Sequence, residues 1–260
     1  MVLDCGTGIQ PVSGIHAGSK PVPHEAEYVM LNFSVAILTA APAGQPTEAG
    51  GAFVKIDGRE ALLRSVELFL NRDPVKQIQV VVLPDDLEEA KRKYGPHLSF
   101  SGVKLISGGP AWKDQVSAAA KTLSSDATHV ILHDAARPVV PFSDLDALME
   151  MAEKHNAVAL VAPMRSELIQ VDDGGNPLRH WRPDHFVQLM TPQVYSRERF
   201  SKMAATGEEV PAVQAKLLKG SPLNIRLRGA GDASLAKSMM GMLPKPKIKP
   251  PSSPFEEAQW

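Results

Sequence analysis

Short aliphatic runs alternate with amphipathic stretches through most of this chain, and that alternation restricts the folds open to it. Ser34–Thr39, Ile78–Leu83, Val103–Ile106, His129–Leu132 and Ala157–Ala162 are four to six residues long and rich in Val, Ile and Leu. That length suits a strand buried on both faces better than a helix. Between them, residues 59–71, 85–94, 111–123 and 143–155 carry helical periodicity, and Ser143-Asp144 supplies a helix-start signal. Strand followed by helix, repeated, predicts an α/β domain: a doubly wound, mainly parallel sheet covered on both sides by right-handed crossovers. In such sheets ligands bind beyond the carboxyl ends of the strands, so the loops after the strands are where function is sought.

The rhythm breaks once. Leu168–Asp172 and Leu178–Trp181 flank Asp173-Gly174-Gly175-Asn176-Pro177, which predicts a β-hairpin projecting as an arm over about residues 163–188. Outside the alternating region, residues 1–32 mix Gly, Pro, His and Ser without periodicity and read as a poorly ordered extension. The domain is expected over residues 33–242. Residues 243–260 form a basic, proline-rich tail that cannot continue helix or central strand.

Composition narrows the function classes. The 260 residues carry a formal net charge of −1, which argues against a general nucleic-acid or anionic-membrane surface. The one cysteine, Cys5, allows no internal disulfide. No apolar run is long enough to span a bilayer, and the start has neither the basic flank nor the apolar stretch of a secretory signal, so the expected location is cytoplasmic. The eight histidines are scattered without metal-ligand spacing, and no metal site is predicted.

The string of most chemical interest is His133-Asp134-Ala135-Ala136-Arg137-Pro138, directly after a predicted strand. A carboxylate and a guanidinium on one tight turn can address a single ligand, and arginine suits planar recognition of phosphate. The same pair can also serve only to rigidify the loop.

With its neighbours in order, this string resembles the 2-C-methyl-D-erythritol 4-phosphate cytidylyltransferase family from about Phe33 to Met242. The supporting pieces are the segment Ile56–Val66, expected to open the first long helix, the strand and turn Val80–Asp86, the glycine turn Ser107-Gly108-Gly109 with Asp114, then Met190-Thr191-Pro192-Gln193 and Asn224-Ile225-Arg226. The resemblance implies a Rossmann-like nucleotidyltransferase fold. It further implies attack of a polyol phosphate on the α-phosphorus of CTP, with Mg²⁺ accompanying the triphosphate and pyrophosphate released. It assigns Asp134, Arg137, Thr191 and Arg226 to the polyol-phosphate side, Arg226 standing where the family usually has lysine. It assigns Ala40, Ala41, Gly44, Gly108, Gly109 and Ala135 to the nucleotide, and a homodimer through the arm.

The first loop departs from the family pattern. The family's Ala-Ala-Gly-x-Gly-x-Arg, with a later Pro-Lys-Gln, becomes here a stretch with no Lys or Arg from Ala40 to Val54. Pro42 replaces a glycine, Pro46 falls at the arginine, Gly51 falls near the lysine, and Glu48 adds a negative charge. Lys55 is the nearest cation and reaches the triphosphate only if the loop is remodelled. Gln115 stands where a small hydroxyl residue usually contacts the base, and Glu167 where a threonine lies near the polyol phosphate. Three roles follow: a working cytidylyltransferase with a rebuilt loop, an impaired relative that binds nucleotide or sugar phosphate, or a dimeric scaffold.

Overall fold

The computed structural model describes residues 31–42, 50–207 and 214–244. The predicted extension up to residue 30, Gly44 and most of the first loop, and the tail from residue 245 lie outside the described residues.

The predicted alternation is present. Five parallel strands, β1 (Phe33–Leu38), β4 (Val75–Val82), β5 (Lys104–Ser107), β6 (His129–Asp134) and β7 (Ala157–Pro163), form the body of the sheet. It also holds β10 (Val187–Ser196) and β11 (Lys216–Lys219), in the order β11-β7-β10-β6-β1-β4-β5. β1 is an interior strand, with Val35 opposite Ile78 on one side and Ile131 on the other. Alternate residues of β1 then feed two different cores. Phe33, Val35 and Ile37 pack with α1 (Ala61–Glu67), α2 (Leu87–Phe100) and α4 (Phe142–Ala152). Ala36 and Leu38 pack with α3 (Trp112–Lys121) and α5 (Arg197–Thr206). This two-sided burial explains why β1 reads as continuously apolar rather than alternating.

Four differences from the sequence expectation have physical causes. The predicted helix over 59–71 begins instead as a tight hairpin, β2 (Lys55–Ile56) and β3 (Arg59–Glu60), before α1. Asp57 and Gly58 both take positive φ, the geometry of a two-residue hairpin turn. α2 runs on past Gly95-Pro96, where a stop was expected at Tyr94. Tyr94 and Leu98 are both buried one turn apart, and this core anchoring outweighs the amide lost at Pro96. β6 extends through Asp134, so His133 and Asp134 belong to the strand rather than to the turn after it.

The fourth difference is β10, which the sequence reading left unassigned. It runs antiparallel between β6 and β7, pairing Val194 with Ile131 and with Val158. Its ladder with β7 goes from Met190 straight to Gln193, leaving Thr191 and Pro192 out of register. That irregularity accommodates the proline and re-aims the threonine.

The arm is present as β8 (Leu168–Val171) and β9 (Pro177–Trp181), a separate two-stranded sheet. Its turn is held by Asp172, whose Oδ1 accepts N–H bonds from Gly174 and Asn176 at 2.9 and 2.8 Å. A last helix, α6 (Ala233–Gly241), follows Gly229–Asp232. Ala236 of α6 joins Ile56, Ala61 and Leu227 in a third small core.

Candidate functional site

Asp134 ends β6 with its side chain wholly buried, a costly place for a carboxylate unless it is paired. Its Oδ2 accepts from Arg226 Nε at 2.7 Å, and its Oδ1 from the Ala136 amide at 2.9 Å. Its own N–H donates to Thr191 Oγ1 at 3.0 Å, so the out-of-register residue of β10 is tied to the end of β6. Arg137, 4% exposed, donates to the Asn224 carbonyl at 2.7 Å. Asn224 in turn donates from Nδ2 to the Thr191 carbonyl at 2.7 Å. Burial pushes the Asp134 carboxyl above the ordinary carboxylate range, against the pull of Arg226, the Ala136 amide and Arg137. Burial also lowers the Arg137 guanidinium, with Asp134 opposing.

The four predicted polyol-phosphate residues are therefore together, but in two ranks. Arg137 and Arg226 line a cleft of about 550 Å³. Asp134 lies behind them and pairs with Arg226, and Thr191 braces Asp134 and Asn224. The aspartate's ion pair is with Arg226, far along the chain, and not with the neighbouring Arg137. The cleft also gathers Arg165, Lys219 and Arg228, with Asp232 bonded to the Arg228 amide at 2.8 Å. Sequence reasoning missed these three cations. Each comes from a different segment, and only β11 pairing beside β7 brings Lys219 to the cleft wall. Glu167, placed by the resemblance near the polyol phosphate, lies outside this lining. Its carboxylate is 75% exposed and sits 3.4 Å from His180 of the arm.

The residues that the resemblance assigns to the nucleotide lie, among the described residues, after β1, β5 and β6. Ala135 donates to the Leu38 carbonyl at 2.9 Å, tying together the carboxyl ends of β6 and β1. Gly108 donates to the Val82 carbonyl at 2.9 Å. Ala40 is buried, and Ala41 is half-buried at the entrance to the loop. The amides of Thr39 and Ala40 both meet Gln115 Oε1, each at 3.0 Å.

The loop's missing lysine has a structural counterpart. A Cβ at Gly51 would overlap the Leu227 carbonyl and touch Ala136, so position 51 has no room for a side chain. Lys55 is exposed on β2, between inward-facing Val54 and Ile56 and across the ladder from Glu60. Arg182 pairs with Asp184 at 2.9 Å on the surface. Trp181 packs within the arm, edge-on to Phe186 and under the Arg179 guanidinium.

This arrangement has clear relatives. The chain is 25% identical to the bifunctional enzyme IspD/IspF of Rhizobium leguminosarum, over 80% of this chain and 55% of that enzyme. It thus spans about half the length of the bifunctional relatives. It is 26% identical to the 2-C-methyl-D-erythritol 4-phosphate cytidylyltransferase of Acidobacterium capsulatum, over 77% of this chain and 94% of the relative. The crystal structure of 4-diphosphocytidyl-2C-methyl-D-erythritol synthase from Anaerococcus prevotii superposes with a TM-score of 0.67 at 15% identity, covering 81% of this chain and 96% of that one, a likeness of fold. The model of the 2-C-methyl-D-erythritol 4-phosphate cytidylyltransferase family matches residues 34–241, and the chain belongs to that family.

Proposed function

We propose that the protein is a cytidylyltransferase that joins a polyol phosphate, of the 2-C-methyl-D-erythritol 4-phosphate type, to the cytidylyl group of CTP in isoprenoid-precursor synthesis. One observation carries this reading: Arg137 and Arg226 face a cleft from a buried frame that fixes both guanidinium groups. In the reaction a phosphate oxygen of the polyol substrate forms a bond to the α-phosphorus of CTP. The bond from that phosphorus to the bridging oxygen breaks, and pyrophosphate leaves. Arg137 and Arg226 hold the attacking phosphate, and Asp134 keeps Arg226 oriented. Such catalysis consists mostly of positioning and of offsetting charge around phosphorus.

Among the described residues no three His, Cys, Asp or Glu side chains converge on one point. The donor set left for Mg²⁺ is the triphosphate's own oxygens, a common arrangement for this hard cation, which then neutralises phosphate charge. The arm exposes Ile169, Val171 and Leu178, which supports a homodimer through this element. Among the described residues no helix is long and apolar enough to cross a membrane, and a cytoplasmic location belongs to the same proposal.

A second reading, an impaired relative that binds sugar phosphate more readily than it turns over CTP, is favoured by the loop without Lys or Arg from Ala40 to Val54. Pyrophosphate release from MgCTP and 2-C-methyl-D-erythritol 4-phosphate separates the two. Slow but Arg137-dependent release is expected. No release, together with a thermal shift from the polyol phosphate alone, selects the second reading. Neither release nor shift overturns both.

A further inference from the structure

The carboxyl end of β1, an interior strand, lies on the side where a doubly wound sheet receives its ligands. Two amides there converge on one acceptor. Thr39 N–H, shared with the Val81 carbonyl at 3.2 Å, and Ala40 N–H both point at Gln115 Oε1, each at 3.0 Å. The other half of that carboxamide, Nε2, donates to Thr39 Oγ1 at 3.3 Å. Gln115 comes from the first turn of α3 and is wholly buried.

The same side chain closes the gap to the glycine turn after β5. A Cβ at Gly108 would lie 3.0 Å from the Gln115 Cγ, and one at Gly109 would lie 2.7 Å from an Asp114 carboxylate oxygen. The carboxamide therefore caps the end of β1, while the stem of the same side chain lies against the turn between β5 and α3. The carboxamide pairs a carbonyl acceptor with an amide N–H donor. The pairing edge of cytosine offers the same two functions.

We infer that Gln115 is a resident occupant of the base end of the nucleotide cleft, and that a cytosine nucleotide gains the Thr39 and Ala40 amides only by displacing it. The inference rests on the cytidylyltransferase reading and names the residue that sets nucleotide admission. Displacement reduces apparent affinity by the fraction of molecules in which the carboxamide is out of the way.

The test is titration calorimetry of the full chain and of Gln115→Ser with MgCTP and, separately, with tripolyphosphate, which has no base. Gln115→Ser is expected to bind MgCTP at least tenfold more tightly than the parent, with tripolyphosphate binding unchanged. Equal or weaker CTP binding, or an equal gain for both ligands, overturns the inference. If Gln115→Ser loses its cooperative melting transition, Gln115→Asn serves instead. It shortens the reach by one methylene while keeping the carboxamide, and the same tenfold selective gain is expected. Unchanged CTP affinity in a protein that still releases pyrophosphate overturns the role of Gln115 alone. If parent and variant both ignore CTP and release no pyrophosphate, the cytidylyltransferase reading fails with it.

Discussion

The two halves of the site are built on opposite plans. On the cleft side, Arg226 is held by the buried Asp134 carboxylate and Arg137 by the Asn224 carbonyl, with Thr191 bracing both partners. On the nucleotide side, the stretch from Ala40 to Val54 carries no cation, and the amides at its base are taken by Gln115. One side has its charges over-determined by structure, and the other has had its charges removed. A buried ion pair is difficult to lose stepwise, because deleting one partner strands the other. A loop cation leaves no such debt in the fold. The surviving charges are the ones that the core itself requires.

That contrast is exposed to mutation, beginning with its largest consequence. Arg226→Ala strands the Asp134 carboxyl in the interior and is expected to lower unfolding free energy by roughly 3–5 kcal/mol. Urea denaturation measures this, and a loss below about 1 kcal/mol breaks the claim that the cleft cations are structural. His133, next along β6, sharpens the same side. Both of its ring nitrogens lack a hydrogen-bond partner, it packs edge-on to Phe69, and burial first, with Arg137 second, lowers its pKa to about 3. Below the ordinary histidine value of about 6.5 the unfolded chain binds a proton that the folded chain refuses. This contribution to stability therefore falls as pH drops from about 6.5 toward 3, by up to about 1.4 kcal/mol per pH unit. His133→Leu is expected to flatten that slope in denaturation series between pH 4 and 7. An unaltered slope removes His133 from the account.

Smaller effects probe the loop. Gly51→Lys puts a side chain where the Leu227 carbonyl already sits, so it is expected to cost roughly 1–3 kcal/mol of stability without restoring CTP affinity. A stable variant with tighter CTP binding contradicts the assigned close contact. Pro46→Arg, at the family's arginine position, is expected to raise kcat/KM for CTP about tenfold, the scale of one charge-assisted hydrogen bond. No gain means that charge is not what the loop lacks. Lys55→Ala closes the series with the smallest effect, less than about 0.5 kcal/mol in stability and within about twofold in turnover. A large loss of activity would show that this outward-facing lysine swings into the site.

The fold was legible because β1, β4, β6 and β7 are largely buried and leave runs rich in Val, Ile and Leu. β10 was not, since Pro192 and the register skip after Met190 hide a ten-residue strand from any period-2 pattern. Ile56–Glu60 was misread because the helical pattern of α1 continues backward through a hairpin. In the site, Asp134, Arg137, Thr191 and Arg226 were legible as types. Their division into cleft-facing and supporting ranks was not, because it depends on which carboxylate oxygen meets which guanidinium. Arg165, Lys219 and Arg228 carried no local signal at all. Gln115 was visible as an odd residue in a turn, yet its target amides lie 75 and 76 residues away.

The arm leaves the sheet at Pro163 and returns at Val187, and these two residues face each other across neighbouring strands. The hairpin thus grows from a closed root whose register is fixed before either leg departs. Its length is consequently free to vary in matched pairs at the tip, around the Asp172 turn, while the strand carrying Thr191 keeps its alignment. Such an element is modular in the evolutionary sense: its outer half can be rewritten for a new neighbour without renegotiating the chemistry beneath it.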